Sequence, residues 1–370
     1  MEDVNKDYLT VYRQFFEGFA PTVDLYDQLP VKVASYNVAE SEIDGEIIDW
    51  CLQYLNQRDC PPSLVIPLCS KVLEEIRQVY KRNLEYFGYR NDEDDFLTLR
   101  LMQAATKKLV EVCIRYTDNA LLCTLPPPPP TGTLQAAPVS SCASKNARRT
   151  MEDRHVAIQD LHALFSIKDC GSASYYGVFD GHNGADAAVY SVSHLHQYLV
   201  ESSYYPGNPE LALRDAFRKT DERFNAKCVK ENLRSGTTAV CALLRPKESM
   251  LYVAWLGDSQ AVLVTQGKPY QLVKPHKPDQ PEERERIEAM GGTVLFWGTW
   301  RVNGQLAVSR AIGDIDYKPY VSGDPDVRVI PLTGQEEFLI LACDGLWDFM
   351  TEQSVSDTVY SHLAEHPGRF

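Results

Sequence analysis

No apolar run approaches the roughly 20 residues of a membrane-spanning helix, so a membrane partner is not expected. The opening stretch, Met1 to Thr10, is polar and acidic and lacks the apolar core of a secretory signal. An excess of positive charge is also missing. Lys and Arg number 37 against 51 Asp and Glu, a formal net charge of −14. That argues against a broad electrostatic grip on nucleic acid and leaves room only for a small basic pocket. Ten cysteines contain no C-x-x-C pair, and Cys51, Cys60 and Cys69 lie nine apart, so zinc spacing is absent. The thiols are expected to be reduced and mostly buried, in the cytoplasm with the nucleus as a second compartment. No G-x-x-x-x-G-K loop occurs, which removes a P-loop kinase from contention.

What is present is ordinary in bulk and informative in pattern. Hydrophobic residues make up 44% and charged residues 24% of 370, a length that accommodates two domains. Residues 1–123 carry helical periodicity. Tyr8, Tyr12, Phe15, Phe16 and Phe19 form one stripe, and Ile43, Ile47, Ile48, Cys51, Leu52 and Leu55 a second. Leu68, Val72, Ile76 and Val79 form a third, and Leu99, Met102, Leu109, Val112 and Tyr116 a fourth. Pro61 and Pro62 break the chain between the second and third. The acidic run Asp92 to Asp95 is expected to favour the N-terminal dipole of the fourth helix. This all-helical N-terminal domain shows no catalytic constellation; a protein partner is its expected ligand.

Pro126 to Pro130 open a stiff stretch, and residues 124–144 are read as a linker. Residues 145–370 differ in texture. Short β-like runs occur at Tyr175 to Phe179, Thr238 to Leu244, Leu251 to Trp255, Ala261 to Val264, Leu306 to Val308 and Phe338 to Cys343. Helical stretches interrupt them at Asp186 to Glu201, Pro209 to Lys227 and Pro281 to Met290. The order is not a strict βαβ alternation, so a largely antiparallel α+β domain is expected.

Carboxylates stand at the ends of the apolar runs: Asp180 before Gly181 and His182, Asp258 after Gly257, and Asp344 before Gly345. A buried strand gives such a side chain a fixed direction, and a glycine lets backbone approach an ion closely. Carboxylate oxygens suit Mg²⁺ or Mn²⁺ rather than zinc. One Asp-Gly would be only a turn signal. Glu152 and Asp153 add carboxylates beside Arg148 and Arg149, and spacing alone does not separate a solvated pair from part of a site.

The motifs together resemble the type 2C metal-dependent protein serine/threonine phosphatases. The matching stretches are Arg148-Arg-Thr-Met-Glu-Asp-Arg-His, Val178-Phe-Asp-Gly-His-Asn-Gly, Ser235-Gly-Thr-Thr-Ala, Trp255-Leu-Gly-Asp-Ser-Gln, Leu306-Ala-Val-Ser-Arg-Ala-Ile-Gly-Asp and Ala342-Cys-Asp-Gly-Leu-Trp-Asp. Trp300 to Gly304 and Lys318 to Gly323 resemble the calcium/calmodulin-dependent protein kinase phosphatase branch. The resemblance implies two antiparallel sheets packed as a sandwich and flanked by helices. It implies that Asp180 bridges two Mg²⁺ or Mn²⁺ ions, that the Gly181 carbonyl and Asp344 hold one each, and that Asp258 helps hold a looser third. Glu152, Asp153 and Asp348 become outer carboxylates, Arg148 the phosphate ligand and His182 the acid for the leaving oxygen. Phosphoserine and phosphothreonine proteins, protein kinases among them, are the implied substrates.

Two departures accompany the resemblance. Asn183 stands where the family has glycine, a mild change because Asn tolerates unusual φ. The family's Asp-Asn metal motif does not follow Asp344 here; Asp118-Asn119 is out of order. The catalytic domain is therefore expected to be C-terminally incomplete, without the closing helix and strand, and the 370-residue chain to have little or no phosphatase activity. The rival to an enzyme is a truncated, inactive phosphatase-like module that binds phosphoproteins. Cys142 to Arg148 matches the C-x5-R of thiol phosphatases, but it has no glycine inside and no strand before it.

Overall fold

The computed structural model describes residues 4–22, 37–130, 132–134, 137–168 and 171–366. The first three residues, part of the expected linker (131, 135 and 136) and the last four residues lie outside the described set. The chain divides into two compact units, Met1–Ala137 with Gln159–Ser172, and Pro138–Ile158 with Ala173–Phe370. The division thus falls inside the expected linker and assigns a later segment, Gln159–Ser172, to the first unit. Among the described residues no helix is long and apolar enough to cross a membrane.

The first unit contains α1 (Val4–Phe19), β1 (Asn37–Val38), α2 (Ile43–Asn56), α3 (Pro62–Val79), β2 (Tyr89–Arg90), β3 (Asp95–Leu97), α4 (Thr98–Arg115), α5 (Asn119–Leu122) and α6 (Leu161–Leu164). Four long helices fall where the apolar stripes put them. Ile47, Ile48, Leu55, Leu68, Val72, Ile76, Leu109 and Val112 are all buried, so the stripes are the core. Pro62 starts α3 at a position whose N–H would be unpaired in any case. Leu99 is a correction: it is 61% exposed, and Leu101 and Ala105 fill the buried face of α4 instead. The acidic run is a second correction. It forms the turn of the β2–β3 hairpin, where Asp94 has φ +53° and accepts from the Tyr89 hydroxyl at 2.6 Å. Arg90 takes Asp95 at 2.7 Å, and the first turn of α4 holds no acid.

The second unit contains β4 (Arg154–Ile158), β5 (Ser174–His182), α7 (Asp186–Glu201), α8 (Pro209–Glu231), β6 (Gly236–Arg245), β7 (Met250–Leu256), β8 (Gln260–Thr265), β9 (Lys268–Gln271), α9 (Pro281–Ala289), β10 (Val294–Trp297), β11 (Thr299–Val302), β12 (Ile312–Gly313), β13 (Asp326–Pro331), β14 (Glu336–Ala342), α10 (Asp344–Trp347) and α11 (Glu352–Glu365). Six strands form one sheet in the order β13-β7-β6-β5-β4, with β12 paired to β6, and three form another, β14-β8-β9. Every pairing in both is antiparallel. Val240, Ala242, Val253, Ala261 and Leu263 interlock with Leu339 and Leu341 between the two sheets. The expected α+β sandwich is therefore the fold of this unit. The run Leu306 to Val308 is not a strand. Leu306 makes only an isolated bridge to Val302, because this segment leaves the β10–β11 hairpin and threads toward β12.

Candidate active site

The carboxylates gather at one end of the sandwich because strand ends put them there. Asp180 lies near the end of β5, opposite Thr238 of β6 and one residue past the last pairing with β4. Tyr175 and Phe179 of the same strand are fully buried and anchor it. A Cβ at Gly181 would meet the Glu152 carbonyl oxygen at 2.5 Å, so only glycine lets the Glu152–Asp153 segment pass this close. Asp344 opens α10 directly after β14, and Asp258 follows Gly257, whose φ of +84° turns the chain out of β7. Asn183 does adopt the left-handed backbone, with φ +56°.

Donor atoms of Asp180, Cys343 and Asp344 all lie within 4.8 Å of one another. Burial first, and then the facing Asp344, Asp153 and Asp258 carboxylates, push the Asp180 carboxyl up to about 8. Burial, then Asp258 and Asp348, also raise Asp344. The Cys343 thiol is pushed up to about 12 by burial and then by Asp153 and Asp180, so it stays neutral beside them and donates to Asp153 at 3.4 Å. A cation enters the group: Lys277 pairs with the buried Asp258. Crowded carboxylate oxygens with a neutral thiol fit a hard divalent cation, Mg²⁺ or Mn²⁺, which would relieve the repulsion they impose on one another.

His182 closes strand β5 and stands opposite Gly236 of β6. Its Nε2 lies 2.7 Å from Asp314 Oδ2. Glu152 turns its side chain to the Thr150 hydroxyl at 3.1 Å, while its backbone packs on Gly181. Arg148 is exposed on the segment before β4, and its guanidinium has no hydrogen-bond partner among the described residues.

The sequence profile described as protein phosphatase 2C matches residues 137–369. The chain belongs to that family. Human Protein phosphatase 1E is 42% identical over 338 residues, which cover 90% of this chain and 43% of that protein. Mouse Protein phosphatase 1F is 39% identical over 372 residues, covering 96% of this chain and 79% of that protein. This chain thus spans less than half of the first relative and most of the second. Among solved structures, one titled as a C. elegans sex determining protein matches with a TM-score of 0.70 at 25% identity, covering 98% of this chain and 87% of that one. A serine-threonine phosphatase 2C from Toxoplasma gondii matches with 0.54 at 26% identity, covering 59% and 81%. The relatives agree with the resemblance read from the motifs, including its branch.

Within this protein phosphatase 2C unit, the residues singled out in sequence divide in two. Asp180, Asp153, Asp258, Asp344 and Asp348 come together with Gly181 packed on Glu152, while the Glu152 side chain turns to Thr150, Arg148 lies exposed before β4 and His182 turns its Nε2 to Asp314. The out-of-order Asp118 caps the short helix α5, accepting from Ala120 N at 2.9 Å, and Asn119 accepts from Arg13 at 3.0 Å. Both are accounted for in the helical unit. Three residues escaped assignment: Cys343, Lys277 and Asp314. Asp314 carries the same Gly-Asp signal as Asp258, and the signal was there to be used. Lys277, between two prolines, has none.

Proposed function

We propose that the chain is a metal-dependent protein serine/threonine phosphatase that hydrolyses phosphoserine and phosphothreonine in proteins, protein kinases among them. The observation that carries this proposal is the set of mutually repelling carboxylates at the sandwich end, with His182 two residues beyond Asp180 on the same strand. Asp180, the Gly181 carbonyl and Asp344 would hold two Mg²⁺ or Mn²⁺ ions, and Asp258 with Asp344 a looser third. Such ions, when bound, make water a nucleophile near neutral pH and stabilise charge on phosphoryl oxygens. Asp153, Asp348 and Glu152 would orient water around them. Arg148, exposed and free to swing, presents a planar fork that matches phosphate oxygens. His182 would give a proton to the departing serine or threonine oxygen, a poor leaving group without one. A reducing compartment, cytoplasm or nucleus, goes with the proposal.

Phosphate release from a phosphothreonine peptide tests it, with Mn²⁺ binding followed by calorimetry in parallel. Release that needs Mn²⁺, stops with chelator and vanishes in Asp180→Asn is the expected result. Release that survives excess chelator but not thiol alkylation would transfer the chemistry to a cysteine. Capture of the phosphopeptide without turnover would make the chain a binding module.

A further inference from the structure

The buried carboxylate of Asp314 has no task in the reaction described above, yet the structure spends much to hold it. The residue is 1% exposed, and its backbone sits in the left-handed region at φ +51°, unusual for a residue with a Cβ. The turn that carries it is fastened on both sides. Asp314 N donates to Ser235 O at 3.2 Å, and Tyr317 N donates to Asp314 O at 2.8 Å. Gly313 N donates to Asp221 Oδ1 at 2.8 Å, and Lys318 pairs with the other oxygen of Asp221 at 2.9 Å. Among the described residues, one oxygen of Asp314, Oδ1, is buried without a hydrogen-bond partner, and the other meets only His182 Nε2. A carboxylate withdrawn from water and given a single donor costs free energy unless that donor answers it strongly. Gly236 lies against both groups, and a Cβ there would overlap the Asp314 carboxylate and the His182 ring together. The glycine is therefore what allows the pair to close.

We infer that Asp314 is the positioning residue for His182: it accepts a hydrogen bond from the Nε2 proton, fixes the ring and its tautomer, and leaves Nδ1 as the nitrogen that serves the substrate. The inference rests on the proton-donor role proposed for His182. The free side of the ring agrees with it, since Nδ1 has no hydrogen-bond partner among the described residues and the side chain keeps 26% of its surface exposed. An imidazole held at one nitrogen by a carboxylate has its orientation and tautomer set at the other. In the step itself the phosphorus–ester oxygen bond breaks and its electron pair goes to the ester oxygen. That oxygen takes the Nδ1 proton and leaves as the alcohol. Nε2 keeps its proton toward Asp314, water supplies the new oxygen on phosphorus, and the proton released by that water restores the imidazolium through solvent.

Two measurements on the full chain test this. The first is the imidazole ¹⁵N spectrum of metal-free protein at a pH well above the ordinary histidine value of about 6.5, with the His182 signals identified by their loss in His182→Gln. A single tautomer with hydrogen on Nε2 is expected, giving way to a mixture in Asp314→Ala and in Gly236→Ala, which wedges the pair apart from the other side. Hydrogen on Nδ1, or an even mixture in the unmodified protein, overturns the inference. The second compares two substrates in Asp314→Asn. The rate on a phosphothreonine peptide should fall about 100-fold, as for loss of a proton donor. The rate on an aryl phosphate, whose leaving group needs no proton, should stay within about threefold, with unchanged Mn²⁺ affinity. Equal losses on both substrates would make Asp314 merely structural. An unmodified chain that hydrolyses neither substrate would refute the phosphatase proposal, and the tautomer result would still decide the role of Asp314.

Discussion

Asp95 in the helical unit is buried and Asp180 in the sandwich half-buried, and the chain answers them in opposite ways. Asp95 receives two hydrogen bonds from one guanidinium, Arg90 Nε at 2.9 Å and Nη2 at 2.7 Å. Among the described residues Asp180 receives no guanidinium and instead faces Asp344, Asp153 and Asp258. The same contrast recurs inside the sandwich unit. Glu283 is 4% exposed, but Arg310 and Arg286 both bond it. Burial alone would raise its carboxyl, yet hydrogen bonds from the two arginines outweigh that and hold it at about 2. A buried charge answered by guanidinium groups of its own chain belongs to the fold; a cluster left facing its likes is kept for a ligand.

The largest expected effect breaks an answered charge. Arg310→Ala leaves Glu283 buried with half its arginines and also removes one partner of Asp326, which Arg310 holds at 3.2 Å and His276 would still hold. It should lower unfolding free energy by about 3–5 kcal/mol in a denaturant titration. A cost below about 1 kcal/mol would mean the network is decorative and the contrast false.

Asp180→Asn is expected to do the reverse. It should weaken Mn²⁺ binding, read by calorimetry, by about 100-fold or more, beyond what an outer-sphere partner costs. The metal-free melting temperature should stay level or rise, because a carboxyl whose ionisation the site opposes is gone. A clear fall in that temperature would assign Asp180 to the fold.

The same chemical change in the other unit sharpens the point. Asp95→Asn should lower the melting temperature by about 2–4 °C and leave Mn²⁺ binding unchanged. Any loss of metal affinity would tie the helical unit to the site.

The smallest effect is with pH. Glu283 and Asp326 are both held at about 2, below ordinary values of 4.5 and 3.8. For Asp326 the His276 hydrogen bond leads, against the opposing effect of burial, with Arg310 adding to it. A depressed carboxyl stabilises the folded state fully above its unfolded value and loses that contribution as pH falls toward its folded one. Melting temperature should therefore drop between about pH 4.5 and pH 2, and Glu283→Gln should start lower and fall less steeply. Parallel curves would remove Glu283 from the acid response.

Much of this was legible along the chain. The helices α1 to α4 follow from apolar residues at intervals of three and four, and α7 spans Asp186–Glu201 as its pattern indicates. Strands β5 to β8 and β14 follow from apolar runs. Other elements were not legible. Strand β13 reads Asp-Val-Arg-Val-Ile-Pro, half exposed, and its alternation is too short to stand out before its pairing with β7 is known. The β10–β11 hairpin displays Phe296 and Trp297 to solvent, against the usual burial of such residues. Leu99 fitted a helical stripe in spacing, yet the neighbours of α4 chose the adjacent face.

The sequence by itself determined which carboxylates end strands, because an apolar run followed by Asp-Gly encodes both a buried strand and its exit. It also determined the family, through motifs from Arg148 to Asp348, and the hard-ion character of the centre, through oxygen donors. Only the tertiary structure decided which acids are answered and which are not. Glu283 finds Arg310 at 27 residues' separation, and His182 finds Asp314 at 132. Local periodicity sets an element and its face. Whether a charge on that face meets a guanidinium, an imidazole or another carboxylate depends on strand register and on turns far away in the chain, and nothing in the neighbouring residues records it.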